Sequence, residues 1–215
     1  MLLLFLGLAA VAHTAGGGTA VDHAVLEWMV HHRGRWATTL AIAVTNAGSP
    51  VAMALLAALA AVLLWRRCRS VAPGLVVVAT LGAATGVSTM TKAVVAARRP
   101  PRSVQLLLEV DPTFPSGHVT GTLALVGIVA VVLGRGASAA ARCLLVACVL
   151  VATVGVATTR LYLGVHWLTD VIGGSLLGGL AVLGGSVALA TLAPVHVRAG
   201  RQPCESPVPP PSRMA

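Results

Sequence analysis

Residues 168–192 read LTDVIGGSLLGGLAVLGGSVALATL, an apolar run whose one ionisable side chain, Asp170, lies near its start. A helix crossing a bilayer needs about 20 consecutive, mainly apolar residues, so this run is long enough to span. Similar runs occur at 45–65, 71–94, 118–134 and 143–160, broken by Gly48-Ser49-Pro50, Pro73-Gly74 and Gly134. Met1 to Ala12 is apolar but short. It reads as the stub of a first helix, as the core of a signal sequence lacking its basic start, or as the result of a late start codon. The expected fold class is all-α: a polytopic membrane bundle of about six transmembrane helices, the first of them short.

Composition agrees. Hydrophobic residues make up 57% of the 215 positions and charged residues 10%, with a mean hydropathy of +0.90. Soluble domains carry about 25% charged residues, so a soluble class is excluded. The apolar mass is Ala, Val, Leu and Gly, and small residues let helix backbones approach closely in lipid, where the hydrophobic effect does not hold helices together. Residues 1–44 are expected to form a short hydrophobic segment followed by an interfacial stretch, with Trp28 and Trp36 at headgroup depth. Residues 45–192 form the membrane core, and 193–215, rich in Pro and Arg, a disordered cytoplasmic tail. No internal repeat is visible.

The net charge of +9 comes from arginines dispersed between spans, which argues for topology and against nucleic-acid binding. Along the alternating path one side carries Arg66, Arg67, Arg69, Arg135, Arg142, Arg198, Arg201 and Arg213. The other carries Arg33, Arg35, Lys92, Arg98, Arg99, Arg102 and Arg160. If Lys92, Arg99 and Arg160 serve chemistry, eight basic residues face four, and the first side is cytoplasmic. Cys68, Cys143, Cys148 and Cys204 have no zinc spacing and read as small apolar side chains.

Three clusters share the outward side. In Lys92-x6-Arg99-Pro100, a spacing of seven residues equals two helical turns and predicts one shared face at a span end. Snorkelling toward headgroups would also explain either cation. Lys92, however, is the only lysine beside fourteen arginines, as if the position requires a compact ammonium. Pro115-Ser116-Gly117-His118 opens a span, where a hydroxyl and free backbone N–H groups suit an anion; an ordinary cap with an interfacial His is the plainer reading. Thr159-Arg160-x5-His166-x3-Asp170 sets a carboxylate four residues after an imidazole, one helical turn away. That pairing can hold the ring tautomer, or it can be a structural ion pair. Together the clusters hold three cations, two histidines and a carboxylate, an inventory suited to phosphoryl transfer without a metal or other cofactor.

These three motifs resemble the signature of the type 2 phosphatidic acid phosphatase family, over roughly residues 45–192. The family also includes bacterial undecaprenyl-pyrophosphate and phosphatidylglycerophosphate phosphatases, and vanadium haloperoxidases share its site. Its third motif usually begins Ser-Arg, where Thr159 stands here. The resemblance implies that His166 attacks phosphorus and becomes a phosphohistidine, with Asp170 holding its other ring nitrogen. It implies that His118 protonates the leaving oxygen and then activates water. Lys92, Arg99, Arg160, Ser116 and the Gly117 amide would bind the phosphoryl oxygens. The implied substrate is a lipid phosphate such as phosphatidic acid, phosphatidylglycerophosphate or a polyprenyl pyrophosphate; the balance of basic residues places the site on the extracytoplasmic face of the cell membrane. Arg98, Arg102, Glu109 and Asp111, between the first two motifs, could touch the substrate, but a solvated loop is the plainer expectation. Two competing readings are a vanadate-dependent peroxidase and a lipid-phosphate binder or transporter without hydrolysis.

Overall fold

The computed structural model describes residues 1–192; the tail expected at 193–215 lies outside the described residues. The helices are α1 (Leu2–Ala15), α2 (Ala20–His31), α3 (Arg35–Ala47), α4 (Pro50–Cys68), α5 (Ala72–Val95), α6 (Gly117–Gly134), α7 (Ala139–Tyr162) and α8 (Leu168–Leu192). Among the described residues there is no strand. Five helices, α4 to α8, are long and apolar enough to cross a membrane, and α1 with α2 form a pair bent by 80° that passes the same test together. The all-helical polytopic bundle expected from the sequence is the observed one.

The breaks follow from local chemistry. The expected span from 45 starts instead at Pro50, because Ser49 accepts a hydrogen bond from the Ala52 N–H and Pro50 sits in the first turn, where a missing donor costs nothing. The span expected from 143 begins at Ala139, since Ser138 caps it through the Ala141 N–H. Between α1 and α2, Gly16 and Gly18 take positive φ (64° and 94°), a region open to glycine. Thr19 and Asp22 then close a reciprocal capping box at the start of α2.

Helix α6 is the hub, packed on α5, α7 and α8. Its contact with α8 depends on missing side chains. A Cβ on Gly174 would lie 2.7 Å from the Ser116 carbonyl oxygen, and one on Gly178 would lie 3.0 Å from that of Thr120. The apolar stub is part of this assembly: Phe5 and Ala12 of α1 are buried with Val95, Phe114 and Leu177. Leucines and valines such as Leu55, Leu59, Val151 and Val187 are exposed on the outside of the bundle, as a lipid-facing surface requires.

Candidate functional site

The end of α5, the start of α6, the end of α7 and the start of α8 meet at one end of the bundle. A segment from Ala96 to Ser116, with one turn of 3-10 helix at Arg102–Val104, crosses over them. It is tied down by backbone bonds from Thr113 N–H to Ala97 O (3.0 Å), Leu106 N–H to Leu163 O (2.9 Å) and Ser116 N–H to Asp170 O (3.0 Å). The Trp167 indole donates to Arg98 O at 2.8 Å. Arg33 donates to Tyr162 O at 3.0 Å and to Val104 O at 2.8 Å, so this arginine is spent on holding the crossover.

The first motif departs from expectation. Helix α5 ends at Val95 and Ala96 turns into the left-handed region (φ 49°), so Arg99 is not two helical turns beyond Lys92. The turn folds Arg99 back over the helix end. There its Nη1 lies 2.6 Å from Val165 O and 3.3 Å from His166 Nε2. The third motif is also tighter than a helical i,i+4 pair. His166 precedes α8, and Asp170 reaches back from the first turn to accept the Trp167 N–H at 2.7 Å. Asp170 Oδ2 lies 3.2 Å from His166 Nδ1.

Thr113, unremarked in the sequence, completes this group. Its hydroxyl donates to Asp170 Oδ2 at 2.5 Å and lies 3.0 Å from His166 Nδ1. An Nδ1–H shared between Thr113 and Asp170 leaves the lone pair on Nε2, beside Arg99. Burial pushes the His166 pKa well below its ordinary value, helped by the nearby cations Arg160, Arg99 and Lys92, so the ring is neutral near pH 7.

The three cations are not free. Lys92 Nζ lies 2.9 Å from Asp111 Oδ2 and donates to the Pro112 carbonyl, with Thr113 O at 3.5 Å. Arg99 Nη2 lies 2.7 Å from Asp111 Oδ1 and 3.7 Å from Glu109 Oε2. Arg160, 1% exposed, has Nη2 at 2.5 Å from Glu109 Oε1 and Nη1 at 3.0 Å from Thr45 Oγ1. Glu109 and Asp111 lie in a loop that water reaches, as expected, but their carboxylates also pair directly with the cations, which the loop reading did not include. Burial pushes the Asp111 pKa up, but the hydrogen bond and charge of Lys92, with Arg99, outweigh it and hold the carboxyl below its ordinary value.

Ser116 caps α6 without a side-chain cap bond, and its buried hydroxyl has no hydrogen-bond partner. The Thr159 hydroxyl is spent on the Val156 carbonyl at 2.7 Å. A cavity of about 900 Å³ contains Lys92, Arg99, Gly117, His118, Arg160 and His166 in its wall, and continues between α4 and α5 past Ala54, Ala57, Ala58, Val78, Leu81 and Gly82. The sequence-selected residues thus come together, Ser116 and Asp170 standing just behind the wall. Among the described residues no group of His, Cys, Asp or Glu is arranged to hold a metal ion. Thr113 alone carried no signal in the sequence, because it lies in an aperiodic segment; for Glu109 and Asp111, two acids within three residues opposite three unpaired cations were the signal for a pairing.

This geometry has known relatives. The chain aligns with the crystal structure of a transmembrane PAP2-type phosphatidylglycerolphosphate phosphatase from Bacillus subtilis with a TM-score of 0.81, at 24% identity, covering 90% of this chain and 96% of that one. It aligns with LpxE of Aquifex aeolicus with a TM-score of 0.57, at 18% identity, covering 78% of this chain and 95% of that one. Both likenesses are likenesses of fold. Among curated proteins, no sequence matches significantly. The family model of the PAP2 superfamily matches residues 73–192, from the first turn of α5 to the end of α8, which is more than half of the chain and includes all three motifs. The chain belongs to the PAP2 superfamily.

Proposed function

We propose that this protein is an integral membrane phosphatase that releases phosphate from a lipid phosphate or pyrophosphate monoester, with His166 as nucleophile. The observation that carries the reading is the His166 ring: Nδ1 held by Thr113 and Asp170, and Nε2 next to Arg99 at the head of a cavity with apolar walls. In the first step Nε2 bonds to phosphorus as the bond from phosphorus to the lipid oxygen breaks, and His118 gives that oxygen a proton. In the second, His118 takes a proton from water, the water oxygen bonds to phosphorus, and the N–P bond breaks to release inorganic phosphate and restore both histidines. Lys92, Arg99, Arg160, Ser116 and the Gly117 amide meet the charge on the phosphoryl oxygens, which is where most of the catalysis of phosphoryl transfer lies.

A lipid substrate fits the cavity's two halves, polar at the bundle end and apolar between α4 and α5. A tail left in hydrocarbon contributes about 0.8 kcal/mol per CH₂ to partitioning, which concentrates and orients the phosphate before any specific contact. In EDTA, purified protein is expected to release phosphate from at least one of phosphatidic acid, phosphatidylglycerophosphate and a polyprenyl pyrophosphate. The kcat/KM should far exceed that for p-nitrophenyl phosphate in the same micelles. Binding without release would favour a carrier, and a preference for the soluble ester would remove the lipid. The extracytoplasmic placement is tested on a cysteine-free background. Ser103→Cys should react with an impermeant maleimide on intact cells and Ser70→Cys should not; the reverse labelling inverts the topology.

Lys92 supplies a separate check. Its ammonium converges on the Asp111 carboxylate and the Pro112 and Thr113 carbonyls, three acceptors that a planar guanidinium cannot meet from the same stem. Lys92→Arg is expected to lower kcat/KM by roughly 10-fold or more, the loss of one well-placed transition-state donor. An unchanged rate would make Lys92 a tether for the crossover segment alone.

A further inference from the structure

Resting on the phosphatase reading, the positions of Glu109 and Asp111 carry a statement about selectivity. Asp111 bridges Lys92 and Arg99, and Glu109 bridges Arg99 and Arg160. Two carboxylates therefore stand among the same three cations that are assigned to the phosphoryl oxygens. Along this strap the side chains alternate: Glu109 and Asp111 turn inward, while Leu108 and Val110 are 74% and 80% exposed. Asp111 retains 49% side-chain exposure and Glu109 25%, so water reaches both and their release needs no opening of the core.

The charges decide what can displace them. Three cations against two carboxylates leave one net positive charge among these five side chains. A phosphodiester headgroup carries one negative charge on two non-bridging oxygens, too little to replace both carboxylates. A phosphomonoester dianion offers two charges on three oxygens, and a terminal pyrophosphate offers at least as much. A pocket at headgroup depth is bathed in phosphodiester lipids, and three uncompensated cations would fill with them. Selectivity of this kind comes from opposing the wrong ligand as well as attracting the right one.

We propose that Glu109 and Asp111 are internal competing anions that hold the cations assigned to the phosphoryl oxygens, yielding to phosphomonoester and pyrophosphate headgroups and excluding phosphodiesters. The test uses the full chain in mixed micelles: the parent, Glu109→Gln, Asp111→Asn and the double variant. Binding of orthovanadate is read as the concentration that half-stabilises the protein against thermal unfolding, which needs no turnover. The double variant should bind vanadate at least about tenfold more tightly, since two charge-assisted partners no longer compete. Adding phosphatidylglycerol should raise the apparent vanadate constant of the double variant and leave that of the parent unchanged. Unchanged or weaker vanadate binding in the variants overturns the proposal, as does a double variant indifferent to phosphatidylglycerol. If the double variant does not fold, Asp111→Asn, altering the more exposed carboxylate, carries both measurements with the same expected directions. Failure of the phosphatase reading shows separately, as a parent that releases no phosphate from any lipid phosphate.

Discussion

His166→Ala is expected to reduce phosphate release by on the order of 10⁴-fold or more, because the residue supplies the attacking atom and not merely a contact. The fold should survive. Helix α8 keeps its start, since Asp170 still accepts the Trp167 N–H and the Thr113 hydroxyl. Lys92, Arg99 and Arg160 are untouched, so vanadate should still raise the thermal unfolding temperature. The parent, stopped with acid-free detergent during turnover, should carry an acid-labile, base-stable phosphoryl group, and the variant none. A variant that released phosphate at near-parent rates would end the nucleophile assignment, whatever its vanadate binding.

Asp170→Asn is expected to lower kcat by about 10²- to 10⁴-fold with little change in KM. The carboxylate forms its ion pair with His166 and feels Lys92 only at longer range; its Oδ2 gathers the Thr113 hydroxyl, the His166 Nδ1 and the Trp167 N–H. An amide oxygen can keep the last of these, but it lacks the charge that favours the imidazolium character developing as Nε2 bonds to phosphorus. The amide nitrogen would replace Oδ1, which is buried without a hydrogen-bond partner. An unsatisfied buried donor costs about 1–3 kcal/mol, so a modest loss of thermal stability should accompany the loss of rate. A rate loss below about fivefold, or one carried entirely by KM, would reduce Asp170 to a helix cap.

The spans could be read from the chain because lipid imposes a one-dimensional requirement: enough consecutive apolar residues for each crossing, with Gly, Ser and Pro at the breaks. Gly48-Ser49-Pro50 marks a boundary by its own chemistry, whatever packs beside it. The motif residues were legible for a related reason, since charged and titratable side chains at span ends stand out in a chain with so few of them. Helical spacing was a weaker guide to the first motif. Lys92 and Arg99 meet, but through a left-handed residue at Ala96 and not along one helix face.

What the sequence by itself determined is therefore the membrane class, the five spans that became α4 to α8, and the end of the bundle where the chemistry collects. Only the tertiary structure decided how those side chains are partnered. Thr113 lies 53 residues from His166, and Glu109 lies 51 residues from Arg160. The segment bearing both Thr113 and Glu109 has no apolar period to announce its path. Its course is set by backbone bonds to Ala97, Leu163 and Asp170. Those bonds exist only after α5, α7 and α8 have packed, so the pairing of acids with cations is a property of the assembled bundle and of no local stretch of the chain.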